Sequence, residues 1–145
     1  MATAIDTAVL ADLWNGTPEG VLAAQNSPER ASSQGPPVIA PVDYGELVAS
    51  PPRNLETVGA LLQAERIEID WDLGEAAGRT AALACRGYVK RRHVHERGAG
   101  PRRSRADFIV GAHAIHFANA LLTFDRELYR AAFPALTIIV PGVGG

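Results

Sequence analysis

Four acidic residues stand where a metal-binding or hydrolytic site could assemble: Asp6, Glu46, Asp107 and Asp125. Asp6 ends the apolar run 2–5, and Asp125 follows Leu121-Leu122-Thr123-Phe124. Glu46 comes one helical turn after the apolar run 37–40, and Asp107 opens an apolar helical pattern. In an open parallel sheet, ligands bind beyond the carboxyl ends of the strands. Element order alone therefore puts Asp6, Glu46 and Asp125 on one edge, and Asp107 joins them if its helix starts there. Carboxylates crowded in this way raise one another's pKa. A hard divalent cation, Mg²⁺ or Mn²⁺, relieves the repulsion because it prefers oxygen ligands. Such an ion activates water and stabilises the leaving oxygen of a phosphodiester. The bland alternative, a surface or capping acid, describes most of the 16 Asp and Glu in the chain.

Other chemistries are less well served. His93 with His95 and His113 with His116 suggest zinc, and the second pair has helical i, i+3 spacing. No Cys pair and no HExxH pattern accompanies them, so His113 is expected to pack or hydrogen-bond near the helix that carries Asp107. There is no GxSxG elbow, no Walker A loop and no GxGxxG turn after a strand. A basic run is more informative. Arg86, Lys90, Arg91, Arg92, Arg97, Arg102, Arg103 and Arg105 are eight of the 14 Lys and Arg, opposed only by Glu96. They read either as a helix C-terminus followed by a solvated loop, or as a phosphate-binding flank leading toward Asp107.

The elements that must position these residues alternate between strand and helix. Strands are predicted at 2–5, 37–40, 67–71 (or an extended segment), 121–122 and 137–140. Helices are predicted from Ala8 through Leu13, from Pro18 with Thr17 as N-cap to about Asn26, and over 43–48, where Pro51 and Pro52 end the helix. Asn54 caps the next, which carries Leu55, Val58, Leu61 and Leu62. A long Ala-rich helix covers 73–89, with Leu73, Ala77, Ala81, Ala84 and Tyr88 on one stripe. After a Gly- and Arg-rich loop over 93–104, a helix runs from about Arg105 to Asn119. Its inward residues are Ile109, Ala112, Ile115 and His116 or Phe117. A short helix covers 126–132. Short, apolar strands of this kind belong to a parallel sheet covered on both faces.

At 145 residues the chain fits a single domain, 1–145, with room for a real core. Its net charge of −2 gives no global attraction to nucleic acid, so binding there requires a local basic patch. One cysteine, Cys85, excludes an intramolecular disulfide, fits a reducing compartment and, in its Ala-rich helical pattern, is expected to be a small buried hydrophobe. No apolar run approaches the ~20 residues that span a bilayer. The N-terminus lacks the basic start and long apolar stretch of a secretory signal, so the expected location is cytoplasmic.

Four of these stretches together carry a family resemblance. They are Ile5-Asp6-Thr7-Ala8-Val9-Leu10; Pro41-Val42-Asp43-Tyr44-Gly45-Glu46-Leu47; Arg105-Ala106-Asp107-Phe108-Ile109-Val110-Gly111-Ala112-His113-Ala114; and Leu121-Leu122-Thr123-Phe124-Asp125-Arg126-Glu127-Leu128-Tyr129, followed by Phe133-Pro134-Ala135-Leu136. In order and spacing the chain resembles the PIN-domain nucleases, in particular the VapC-type toxins of bacterial toxin–antitoxin pairs. The resemblance implies a three-layer α/β/α PIN-like domain with a short parallel sheet flanked by helices. It implies that Asp6, Glu46, Asp107 and Asp125 bind Mg²⁺ or Mn²⁺ and are the catalytic acids, with Thr7 and Thr123 supporting them. It also implies an endoribonuclease acting on structured RNA, and on the phosphate-binding reading of the basic run Arg91, Arg92, Arg102, Arg103 and Arg105 would contact that RNA. A homodimer and a small VapB-like antitoxin partner follow from the same source. Ala8 departs from the Ser or Asn common after the first Asp-Thr, removing a polar group near the metal. Two rivals stand beside this reading: a PIN nuclease of RNA processing that is not a toxin, and a catalytically inactive PIN-fold binding module.

Overall fold

The computed structural model describes residues 2–15, 36–95 and 105–141. The helix expected after Thr17 and residues 96–104 of the loop expected over 93–104 lie outside those residues. The order is β1 (Thr3–Ile5), α1 (Thr7–Asn15), β2 (Pro37–Ile39), α2 (Pro41–Ala49), α3 (Leu55–Ala64), β3 (Glu68–Ile69), α4 (Gly74–His95), α5 (Arg105–Phe117), β4 (Ala120–Leu122), α6 (Arg126–Ala132) and β5 (Ile138–Ile139). All five strands are parallel in the order β3-β2-β1-β4-β5.

Alternation along each strand divides the core between two faces. Ala4, Val38 and Leu121 point to a cluster that contains Ala77 and Ala81 of α4, Phe108 and Ala112 of α5, and Tyr129 of α6. Ile5, Ile39 and Leu122 point the other way, toward Val9 and Leu10 of α1, Leu47 of α2, and Val58 and Leu62 of α3. Among the described residues three helices therefore cover each face, which is why β1 and β4 are buried throughout and apolar apart from Thr3.

Local chemistry explains where several helices begin. Pro41 occupies the first turn of α2, where its missing N–H costs nothing, and Asp43 reaches back to accept from the Ala40 N–H at 3.0 Å. Asn54 and Thr57 cap α3 reciprocally, at 2.9 and 3.0 Å. Gly74 starts α4 with φ +76°, a value L side chains avoid.

Some sequence expectations need correction. The helix expected over 73–89 runs on to His95, so His93 and His95 belong to it rather than to a loop. The third strand shrinks to Glu68–Ile69, and the last to Ile138–Ile139. His116 and Phe117 do not face inward: both are exposed, while Phe108 and Val110–Ala114 form an almost continuously buried stretch. The cause is that α5 is covered by the sheet, by α4 and by α2 together, so a one-sided stripe does not describe it. Cys85 is only partly buried against the core.

Gly111 lies where α5 meets the Phe133 ring, and a Cβ there would overlap that ring. Because Phe133 is itself buried, it has little room to withdraw. Gly111→Ala should cost about 1–3 kcal/mol through overpacking, despite alanine's better helix propensity. Urea denaturation will measure it; an unchanged midpoint would show that Phe133 yields freely.

Candidate metal and hydrolytic site

The strand register builds the site. Ile5 pairs with Leu122, so the next residues, Asp6 and Thr123, stand level at the carboxyl edge. The Asp6 N–H donates to Leu122 O at 2.9 Å, and Thr123 donates its hydroxyl to Asp6 Oδ2 at 2.8 Å. Thr123 Oγ1 also accepts from the Asp125 N–H at 3.0 Å. One fully buried hydroxyl thus ties the two acids that follow β1 and β4. These strands flank the point where strand order reverses, the position at which open α/β sheets bind ligands.

On the other side of β1, β2 runs directly into α2, whose first turns carry Asp43 and Glu46. Asp107 lies in the first turn of α5. Asp6, Glu46, Asp107 and Asp125 line one cleft of about 650 Å³, together with Thr7, Ala8 and Phe124. All four expected acids and Thr7 therefore come together, and Thr123 lies just beneath them. Ala8 is exposed in the cleft wall. Of the expected basic contacts, Arg91 is exposed on α4. Arg92 and Arg105 lie in α4 and α5, while Arg102 and Arg103 fall outside the described residues.

Asp43 is a fifth acid that motif reasoning left in the background. It is 1% exposed, and the Thr7 hydroxyl donates to its Oδ1 at 2.6 Å. The same hydroxyl lies 3.1 Å from Glu46 Oε1. A threonine has a single hydroxyl proton, so it cannot serve both carboxylates fully at once. The sequence signal for Asp43 was its position three residues after Ala40, where an acid can close a capping box behind a Pro-started helix.

Electrostatics follow from this crowding. Burial pushes the Asp6 carboxyl above its usual range, the Thr123 bond pulls it back, and Asp107 and Glu46 push it up again. Burial also raises Glu46, with Thr7 opposing and Asp107 adding to the rise. Asp43 is pushed up to about 7, chiefly by burial and further by Asp6 and Glu46, against the bond from Thr7.

The donor set suits a hard divalent ion: oxygens from four carboxylates, with no Cys or His lining the cleft among the described residues. As the side chains stand, no group of three or more His, Cys, Asp or Glu among the described residues is arranged so that it could hold a metal ion. The hydrogen bonds give the reason. Asp6 is turned toward Thr123, Glu46 toward Thr7, and Asp125 caps α6 by accepting from the Leu128 N–H at 3.2 Å. Convergence on one ion requires some of these carboxylates to turn.

The histidines have other partners. His113 is 1% exposed, and its Nε2 lies 3.1 Å from Asp70 Oδ2, which joins α5 to the end of β3. Burial lowers its pKa, and Asp70 opposes that shift. His116 contacts Thr80 Oγ1 at 2.7 Å. The packing role expected for His113 holds.

The Asp43 shift makes a signed prediction. Its folded pKa lies above the ordinary value of about 4, so the folded protein binds the proton more tightly than the unfolded chain. Stability from this group is greatest below pH ~4 and falls as pH rises to about 7. Asp43→Asn removes this dependence and should gain on the wild type across that window, by up to a few kcal/mol, since each unit is worth about 1.4 kcal/mol. Denaturation at pH 4.5 and pH 8 measures the gain; a stability difference that does not change with pH would show that Asp43 is not held in this way.

No family model and no curated protein matches the chain. Among solved structures it is similar to a chain of VapBC2 from Rickettsia felis, solved bound to a DNA fragment from their promoter. The TM-score is 0.65 with 16% identity, and the match covers 97% of this chain and 99% of that one. At that identity the likeness concerns the fold. With helices on both faces of a five-stranded parallel sheet, this chain has a PIN-like three-layer α/β/α fold.

Proposed function

We propose that this chain is a divalent-metal-dependent endoribonuclease, the toxin of a type II toxin–antitoxin pair. The observation that carries the reading is the cleft itself, where acids from four separate stretches of chain meet at the strand-order reversal. Asp6, Glu46 and Asp107 would hold the principal Mg²⁺ or Mn²⁺. Asp125, already committed to capping α6, would hold a second ion or orient water. When bound, such an ion makes coordinated water a better nucleophile and stabilises charge on the leaving oxygen. Thr123 keeps Asp6 at the strand edge, and Thr7 governs the direction in which Glu46 turns.

The basic stretch fits an RNA backbone. Arg91, Arg92, Arg102, Arg103 and Arg105 cluster in sequence just before Asp107 and would bind phosphates without reading bases. Structured RNA as the substrate class, a homodimer and a small VapB-like antitoxin come from the PIN resemblance. The likeness to VapBC2 supports the antitoxin partner. Among the described residues no helix is long and apolar enough to cross a membrane.

Asp107→Asn tests this reading, because it keeps the shape of the side chain and removes its charge. With Mn²⁺ and a structured RNA, the cleavage rate should fall at least ~100-fold. Far-ultraviolet circular dichroism should be unchanged, and stability equal or higher, because repulsion is relieved. A variant that cuts at near the wild-type rate would remove Asp107 from the site, and RNA left intact by the wild type would sink the nuclease assignment.

A further inference from the structure

Tyr129 is buried in the core, 0% exposed, and its ring stacks on Phe133 at a centroid distance of 6.4 Å. It follows Asp125 by one turn of α6. Its hydroxyl has no hydrogen-bond partner. Phenylalanine would fill the same space without burying an unsatisfied group, so packing does not account for this hydroxyl. Its surroundings are acidic: Tyr129 interacts electrostatically with Asp6, most strongly, and then with Asp107, Asp43 and Asp125. An unpartnered donor thus shares the field of carboxylates that already accept, among other bonds, from Thr123, Thr7 and the Ala40 and Leu128 N–H groups.

Those carboxylates must turn before three of them can converge on one ion. A carboxylate that turns toward a cation leaves its other oxygen in need of a donor, and such outer hydrogen bonds set ligand orientation and affinity. We propose that Tyr129 is a positioning residue of the acidic site, its hydroxyl held in reserve to donate to Asp6 when the carboxylates close on a divalent cation. The inference rests on the metal-dependent reading above, because it assigns the hydroxyl a partner only in the closed arrangement. It also accounts for an unpaired hydroxyl in the open one.

Tyr129→Phe tests it, read by urea denaturation in EDTA and by calorimetric titration with Mn²⁺ alone. In EDTA the variant should be as stable as the wild type or more so, since an unpaired polar group is lost. Its Mn²⁺ Kd should rise about tenfold. Thr3→Val, which removes a second unpaired buried hydroxyl among the described residues, at the opposite end of β1, should leave the Mn²⁺ Kd unchanged. Equal Mn²⁺ affinity in Tyr129→Phe and wild type would overturn the role of Tyr129 while leaving the metal site standing. Lower stability of Tyr129→Phe in EDTA would overturn it as well, by showing the hydroxyl already engaged. A wild type that takes up no Mn²⁺ would overturn both the metal reading and this inference.

Discussion

The register of β1 against β4 sets what happens at the carboxyl edge of this sheet. Pairing Ile5 with Leu122 brings Asp6 level with Thr123, and the buried hydroxyl between them links both acids that leave the two strands. A slip of one residue would turn Asp6 to the opposite face and bury the wrong side chains. The alternation Ala4/Ile5 and Leu121/Leu122 prevents this, because each residue fills a different helix-covered core. Position at the site is therefore inherited from packing in the sheet.

That position has an electrostatic cost. Asp6, Asp43 and Glu46 all have carboxyls raised above their usual range, chiefly through burial, and neighbouring acids add to the rise. Hydrogen bonds from Thr123, Thr7 and backbone N–H groups offset the burden only in part. The edge of the sheet thus takes up positive charge readily, whether as protons or as a hard cation. A core of similar volume without these acids would be easier to fold, so their convergence makes sense as a site rather than as architecture.

Much of this was legible in the residues. Apolar runs ending in an acid predicted strand ends at Asp6 and Asp125, and the parallel sheet followed from short strands alternating with helices. Pro51, Pro52 and the Asn54 cap marked helix boundaries that the structure bears out. What stayed hidden depends on tertiary contact. Tyr129 stood in the last motif with no role assigned, because nothing local reveals that its hydroxyl is unpaired. Asp43 stood in the second motif with no role assigned, because its partner Thr7 is distant in sequence. The misjudged inward face of α5 has the same origin, since a helix covered by a sheet and two helices shows no clean stripe.

The central claim is that the raised carboxyls of the cleft give up protons to a divalent cation. Calorimetric titration of the wild type with Mn²⁺ near pH 6, in two buffers of different ionisation enthalpy, counts those protons directly. The account predicts a binding heat that depends on the buffer in the sense of proton release, because a cation held beside Asp43, whose carboxyl is pushed up to about 7, favours its ionised form and displaces its proton. Identical heats in the two buffers, or no uptake of Mn²⁺, would contradict it.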